Sequence, residues 1–302
     1  MEKFKMGKNR NVWKWTAFVL VIAATGTAGF LAGNTTLASK YQAERELNYK
    51  LNRSDLDGLG KIDGRIYVTG HKSPDADIVG SSIGYAALLK KLGYDAVPVV
   101  LGKINNETSH VLKTGGIDIP QLLEDASGCN MVLVAHSEYA QSAKGLKDAN
   151  VITIIDHHGD GSVTTGNQLI YDARPLGLTA TIIWLRYRSY GVAIDRSAAY
   201  AMVSSILSDT KNLLSDATTF ADREALKELY LLAGIKDIGA LYKEMFQASL
   251  SYEARLTRRL SSVITRNMKA AGKSMRLDSS RRMMRTSREI WLNEWQRLFP
   301  GL

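Results

Sequence analysis

Four of the five histidines in this chain, and its best-placed aspartates, gather in short clusters that each follow an apolar run. The first is Gly70-His71-Lys72-Ser73-Pro74-Asp75-Ala76-Asp77. The second is Val134-Ala135-His136-Ser137-Glu138 and the third Ile155-Asp156-His157-His158. A fourth, Leu207-Ser208-Asp209-Thr210, closes a later apolar run. Imidazole and carboxylate are ligands for hard or borderline divalent metals. Pro74 restricts Ser73 to an extended conformation, so the spacing His71-x-x-x-Asp75-x-Asp77 can aim one nitrogen and two carboxylates into one cavity from a single loop. His157 and His158 add two imidazoles, with Asp156 placed to orient a ligand ring from behind and His136 in a similar supporting place. Asp209 arrives from a different element. One such piece alone is commonplace, a His-x-x-x-Asp being more often a helix cap or a surface loop. Four in order, each at the end of an apolar element, point to a shared metal site. Two metals a few ångströms apart are a usual device for attacking a phosphorus–oxygen bond with water.

The elements that must position these groups alternate in type. Ile66-Tyr67-Val68 is a short β run, and Ile78 to Leu92 an amphipathic helix closed by Gly93. Ala96 to Leu101, Met131 to Val134 and Val151 to Ile155 are further strands. Their near-continuous β-branched runs fit strands buried on both faces. Strands alternating with helices predict βαβ units and a parallel sheet, an α/β fold with helices on both faces. Ligand groups at the carboxyl ends of such strands lie where open α/β sheets place their sites. Thr179 to Tyr190 and Arg196 to Leu207 read as helices, Lys211 to Asp222 as a polar linker, and Arg223 to Leu231 and Ile238 to Met268 as helices again. His110 reads as a surface residue, and Asn106-Glu107-Thr108 as a chance glycosylation-type triplet.

At 302 residues the chain has room for about two domains. A single cysteine, Cys129, excludes an internal disulfide framework and a cysteine-rich zinc site. The net charge of +9 is uneven, with a basic start in residues 1–14 and 12 Lys/Arg against 4 Asp/Glu in residues 251–302. The stretch between is mildly acidic, unlike a nucleic-acid binder, so no nucleic acid is expected. Trp15 to Ser39 holds 25 residues without a charge, and about 20 apolar residues span a bilayer. With Trp13 and Trp15 at the interface and the cationic residues ahead of the span, the pattern predicts an N-terminal transmembrane helix. It also predicts a single-pass membrane location with the N-terminus in the cytoplasm. The alternatives are a signal segment cleaved near Thr36-Leu37-Ala38, giving a secreted protein, or a domain facing the cytoplasm. The predicted order is a basic tail (1–14), the anchor or signal segment (15–39), a stalk (40–64), the metal-binding domain (65–212), a linker (213–222) and a C-terminal domain (223–302).

Over about residues 64–275 the chain resembles the DHH phosphoesterase superfamily, and within it the manganese-dependent (family II) inorganic pyrophosphatases. Gly70 to Asp77 is similar to that family's Gly-His-x-x-Pro-Asp-x-Asp opening, and Asp156-His157-His158 to the motif that names the superfamily. Pro175 to Thr181 and Ile206 to Thr210 resemble its later segments. The resemblance implies metal ligation by His71 and Asp75 at one site, by Asp77 and His157 at the other, and by Asp209, with Asp75, Asp77 and His158 as the catalytic group. It implies that His158 faces the substrate phosphate and that Lys269 binds phosphate from a smaller domain. The cofactor it implies is Mn²⁺ at two sites, with Mg²⁺ or Co²⁺ as substitutes. The reaction is hydrolysis of pyrophosphate, or another phosphoanhydride, by water activated between the metals. A homodimer is compatible with the same resemblance.

Two departures stand against it. Where the family carries an aspartate that bridges both metals, this chain has Ala135, which offers no ligand atom. The C-terminal domain is also shortened, and Ser280-Arg281-Arg282 is only a superficial echo of the family's later phosphate clamp. A catalytically impaired member that binds metal or phosphate is therefore the competing expectation. An exopolyphosphatase or nucleotide phosphodiesterase comes third, without the glycine-rich histidine motif of that branch.

Overall fold

Val, Ile, Met and Leu fill the central strands of a six-stranded parallel sheet in the order β3-β2-β1-β4-β5-β6. The computed structural model describes residues 36 and 38–250. The strands are β1 (Ile66–Thr69), β2 (Ala96–Val100), β3 (Gln121–Leu122), β4 (Asn130–Val134), β5 (Asn150–Asp156) and β6 (Ile170–Ala173). Every neighbouring pair is parallel. The chain builds outward from β1 through β2 to β3, then returns to the other side of β1 for β4. The strand order thus reverses between β1 and β4, and a crevice opens at their carboxyl ends, where open α/β sheets bind ligands. The parallel-sheet α/β class read from the sequence is the observed one. The two edge strands, β3 and β6, were not legible.

Alternation along the central strands sends side chains into two cores. Val132, Val134, Ile152 and Ile155 join the larger core, and Met131, Leu133 and Ile154 the smaller core on the opposite face. The pairing of β4 with β5 slips by one residue between Met131 and Val132, so Val132 faces Thr153. This bulge at Ile152 puts Val151 and Ile154 on the same face, and it resets the parity of β5 before the strand delivers Asp156.

The helices are α1 (residues 38–57), α2 (Ala76–Lys91), α3 (Asn106–Gly115), α4 (Thr179–Ser189), α5 (Arg196–Asp209) and α6 (Phe220–Ala233). α2 starts two residues before the sequence reading because Asp75 caps it, accepting from the Ile78 amide at 3.0 Å. α2 and α5 pack closely at Gly80, where an added Cβ would meet the Ser205 side chain and the Ala201 carbonyl. The Ser205 hydroxyl bonds the Ala76 carbonyl across this contact at 2.9 Å. α6 begins inside the stretch read as a linker, and Leu241 and Met245 of a helix starting at residue 238 complete the larger core. The chain divides into two units, Met1–Met245 and Phe246–Leu302. Of the second, residues 246–250 are described and helical.

The expectation of an N-terminal transmembrane helix, and with it of a single-pass membrane location and membrane association, is corrected. Among the described residues no helix is long and apolar enough to cross a membrane. Of the expected span only residues 36, 38 and 39 are described, and from Lys40 onward α1 carries Glu44, Arg45, Glu46, Lys50, Arg53, Asp55 and Asp57, so no described stretch is uncharged over membrane length. α1 instead turns Asn52 to the Ser189 carbonyl and Arg53 to the Leu92 carbonyl, satisfying the ends of α4 and α2. Residues 1–35 and 37, which hold most of the expected span, lie outside the described residues, as do residues 251–302 with Lys269.

Candidate metal centre

The first carboxylate of the site is built by a helix that lacks its own cap. α4 starts after Leu178, which has no side chain to accept from the free amides of the first turn. Asp77, in the first turn of α2, takes that role from across the crevice. Its oxygens accept from the Thr179 and Ala180 amides at 3.4 Å each and from the Ser81 hydroxyl at 3.0 Å. Asp77 is 2% exposed. Burial, and then the nearby Asp75, push its carboxyl up to about 6.

Asp209 is the opposite case. It is the last residue of α5, where the partial negative charge of the helix end disfavours a carboxylate. Burial raises its carboxyl first, followed by repulsion from Asp77, Asp75 and Glu107, to about 9. His157 comes from the end of β5, its Nε2 4.0 Å from Asp77 Oδ2. Burial and then His158 hold His157 below the usual imidazole range, so it is neutral and has a lone pair to offer. One ligand atom from each of Asp77, His157 and Asp209 lies within 4.8 Å of the others. Crowded carboxylates at a helix end, beside a neutral imidazole, form a site that a divalent cation relieves. Oxygen and imidazole donors without sulfur suit Mn²⁺, Mg²⁺ or Co²⁺.

His71 and Asp75 form a second, looser pair. Asp75 spends Oδ1 on its cap, and Oδ2 lies 3.7 Å from His71 Nε2, with the two side chains 22% and 44% exposed. His71 meets His136 edge-on, ring centres 6.3 Å apart. His136 is buried with both nitrogens engaged, by the Val134 carbonyl at 3.2 Å and the Ser142 hydroxyl at 3.0 Å. Asp156 supports a ring as expected, but the ring is that of His158, at 2.9 Å from Nδ1, and not that of His157. It also accepts the His158 amide at 3.0 Å. The two adjacent imidazoles, His157 and His158, stand 3.9 Å apart.

Ala135 is buried at the end of β4 with a φ of 58°. Residues other than glycine rarely adopt this left-handed region, and aspartate and asparagine do so more readily than alanine. The backbone here therefore has a shape that suits an aspartate better than the residue it carries. Glu107 was missed from sequence. It sits at the start of α3, half-buried beside Ser208 and Asp75, and contributes to the rise of Asp209. Its only sequence setting was an Asn-Glu-Thr triplet with no metal-ligand spacing.

Residues 65–206 match the model of the DHH family, N-terminal domain. The chain is 40% identical over 185 residues to a protein of Archaeoglobus fulgidus named "Probable manganese-dependent inorganic pyrophosphatase", covering 57% of this chain and 58% of that one. It is 39% identical over 191 residues to the manganese-dependent inorganic pyrophosphatase of Methanothrix thermoacetophila, covering 63% and 61%. The chain thus spans about three-fifths of the length of these relatives. Among solved structures it is similar to a protein of Methanococcus jannaschii assigned to the family II inorganic pyrophosphatases. The TM-score is 0.56 and the identity 38%, with 61% of each chain covered. An exopolyphosphatase-related protein from Bacteroides fragilis shares the fold at 16% identity, with a TM-score of 0.52 over 72% of this chain and 65% of that one. Residues 65–206 are thus similar to the N-terminal domain of the DHH family.

Proposed function

We propose that this chain is a manganese-dependent phosphohydrolase that cleaves a phosphoanhydride, with pyrophosphate as its substrate. The observation that carries the reading is the meeting of Asp77, His157 and Asp209, with both carboxylates raised by burial and by neighbouring carboxylates. These three residues would hold one metal ion, and His71 and Asp75 a second. A bound divalent ion supplies Lewis acidity and lowers the pKa of water at neutral pH. His158 can donate Nδ1–H to Asp156 and, when both ring nitrogens carry protons, Nε2–H to a phosphate oxygen. The buried walls of β4 and β5 exclude bulk water behind the ligands. Lys269, outside the described residues, is the proposed phosphate-binding lysine.

The Ala135 backbone favours a second reading, an impaired member that binds metal and phosphate with little turnover. Phosphate release from pyrophosphate separates the two, measured on the full chain with Mn²⁺, with chelator added, and on Ala135→Asp. Release by the natural sequence that chelator abolishes is the expected result. Release by Ala135→Asp alone establishes the impaired reading. No release by either version, with Mn²⁺ bound and the protein folded, refutes hydrolysis of this substrate.

A further inference from the structure

We propose that Asp222 is a positioning residue for the metal centre: from α6 it locks the loop whose backbone holds Asp77 in place. The inference rests on the reading of that centre as metal-binding. Asp222 is wholly buried, at 0% exposure. Its Oδ2 accepts from the Gly177 amide at 3.1 Å and from the Thr219 amide and hydroxyl at 2.7 Å each. Its Oδ1 accepts from the Thr181 hydroxyl at 2.6 Å. All four partners are neutral.

The bonds to Thr219 complete the capping box of α6, and a cap asks for nothing more. The other two reach back 45 and 41 residues to the far side of the crevice. Between those anchors lie Thr179 and Ala180, whose amides meet Asp77. Glycine is required opposite the carboxylate, because a Cβ at Gly177 would fall 2.5 Å from Asp222 Oδ2. A buried carboxylate held only by neutral donors is costly. Here it fixes both ends of a loop whose amides hold a proposed ligand, Asp77. Asp222 also lies beyond the residues matched to the DHH domain, which end at 206, so α6 supplies a part of the centre that the matched segment lacks.

The test uses the full chain and the variants Asp222→Asn, Thr181→Val and Thr181→Ser. Three quantities are read: the Mn²⁺ dissociation constant from the resonance of the free aqueous ion, the melting temperature, and the hydrogen-exchange rates of the Thr179 and Ala180 amides in the metal-free protein. Asp222→Asn and Thr181→Val are expected to weaken Mn²⁺ binding about 10-fold or more. Thr181→Ser, which keeps the hydroxyl, is expected to restore it. Both damaging variants are expected to speed exchange at those two amides. A lower melting temperature with Mn²⁺ affinity within twofold and unchanged exchange there would mean that Asp222 only caps α6, and the proposal falls. If Asp222→Asn does not fold, Thr181→Val decides on the same readouts. If the unaltered chain binds no Mn²⁺, the metal reading fails, and the metal-free exchange at Thr179 and Ala180 alone upholds or overturns the positioning role.

Discussion

Asp209→Asn is expected to stabilise the metal-free protein and destabilise the metal-loaded one. The Asp209 carboxyl is pushed from an ordinary 3.8 up to about 9 in the folded chain. In the unfolded chain it ionises near 3.8. Between about pH 4 and pH 9 folding therefore takes up a proton at this site, and metal-free stability falls as pH rises across that window. Each pH unit is worth about 1.4 kcal/mol, and about three units separate the unfolded value from pH 7, a ceiling of about 4 kcal/mol. Solvent at the mouth of the site and proton sharing with Asp77 reduce this to about 2 kcal/mol. Removing the charge should raise the metal-free melting temperature at pH 7 by about 4–8 °C and flatten its fall with pH. Mn²⁺ at about 100 times its dissociation constant adds roughly 2.7 kcal/mol to the unaltered chain. The variant, short of one ligand, forgoes most of that gain. The order of the two melting temperatures should thus reverse between chelator and Mn²⁺. Thermal melts from pH 5 to 9 in each condition provide the assay. A variant that melts below the unaltered chain in chelator at pH 8 refutes the electrostatic argument. So does an unaltered chain whose metal-free melting temperature does not fall between pH 5 and 8.

Gly80→Ala should wedge α2 from α5, since the new Cβ meets Ser205 and lies 2.5 Å from the Ala201 carbonyl. A loss of about 1–3 kcal/mol in denaturant titration is expected. Weaker Mn²⁺ binding should accompany it, because Asp77 and Asp209 ride on those two helices. Asp75→Asn and Asp77→Asn should part company. Asparagine caps a helix as well as aspartate, so the first should change stability by less than about 0.5 kcal/mol and keep one tight Mn²⁺. The second should lose tight Mn²⁺ altogether, read by equilibrium dialysis.

The central strands were legible because their β-branched runs are long and buried on both faces, and α2, α4 and α5 because their apolar residues recur between turn signals. The edge strands were not. β3 is two exposed residues and β6 is half-exposed, so neither carries an apolar run. Ligand types and order at the strand ends were readable, but their partners were not: that Asp156 serves His158, or that Asp77 caps α4, depends on how β5 and α4 are placed in space. Asp222 hid in a polar stretch read as a linker. The signal that would have found it is local, a Thr219-x-x-Asp222 capping box ahead of the apolar face of α6. The span predicted over residues 15–39 is matched by no helix among the described residues, which include only residues 36, 38 and 39 of it.

The two halves of the centre are built to different tolerances, and this predicts unequal metals. Asp77, His157 and Asp209 bring three donors within 4.8 Å, two of them with side chains only 3% and 13% exposed. His71 and Asp75 bring two, 3.7 Å apart on a more exposed loop, and one oxygen of Asp75 is already committed to capping α2. By the resemblance to the family II pyrophosphatases, a carboxylate at position 135 would add a donor to both halves and place negative charge between two dications. Ala135 adds neither. Mn²⁺ is therefore expected to bind in two steps, with the dissociation constants at least about 100-fold apart, one missing donor and its charge amounting to about 3 kcal/mol. Phosphate release, if it needs both ions, should then follow the weaker step. Ala135→Asp should draw the two constants together, at little cost to the fold because the backbone already has an aspartate's shape. Calorimetric titration with Mn²⁺ measures both constants. Two equal sites in the unaltered chain would mean that the loose half is completed by some other donor, and that the geometry of His71 and Asp75 does not govern the second metal.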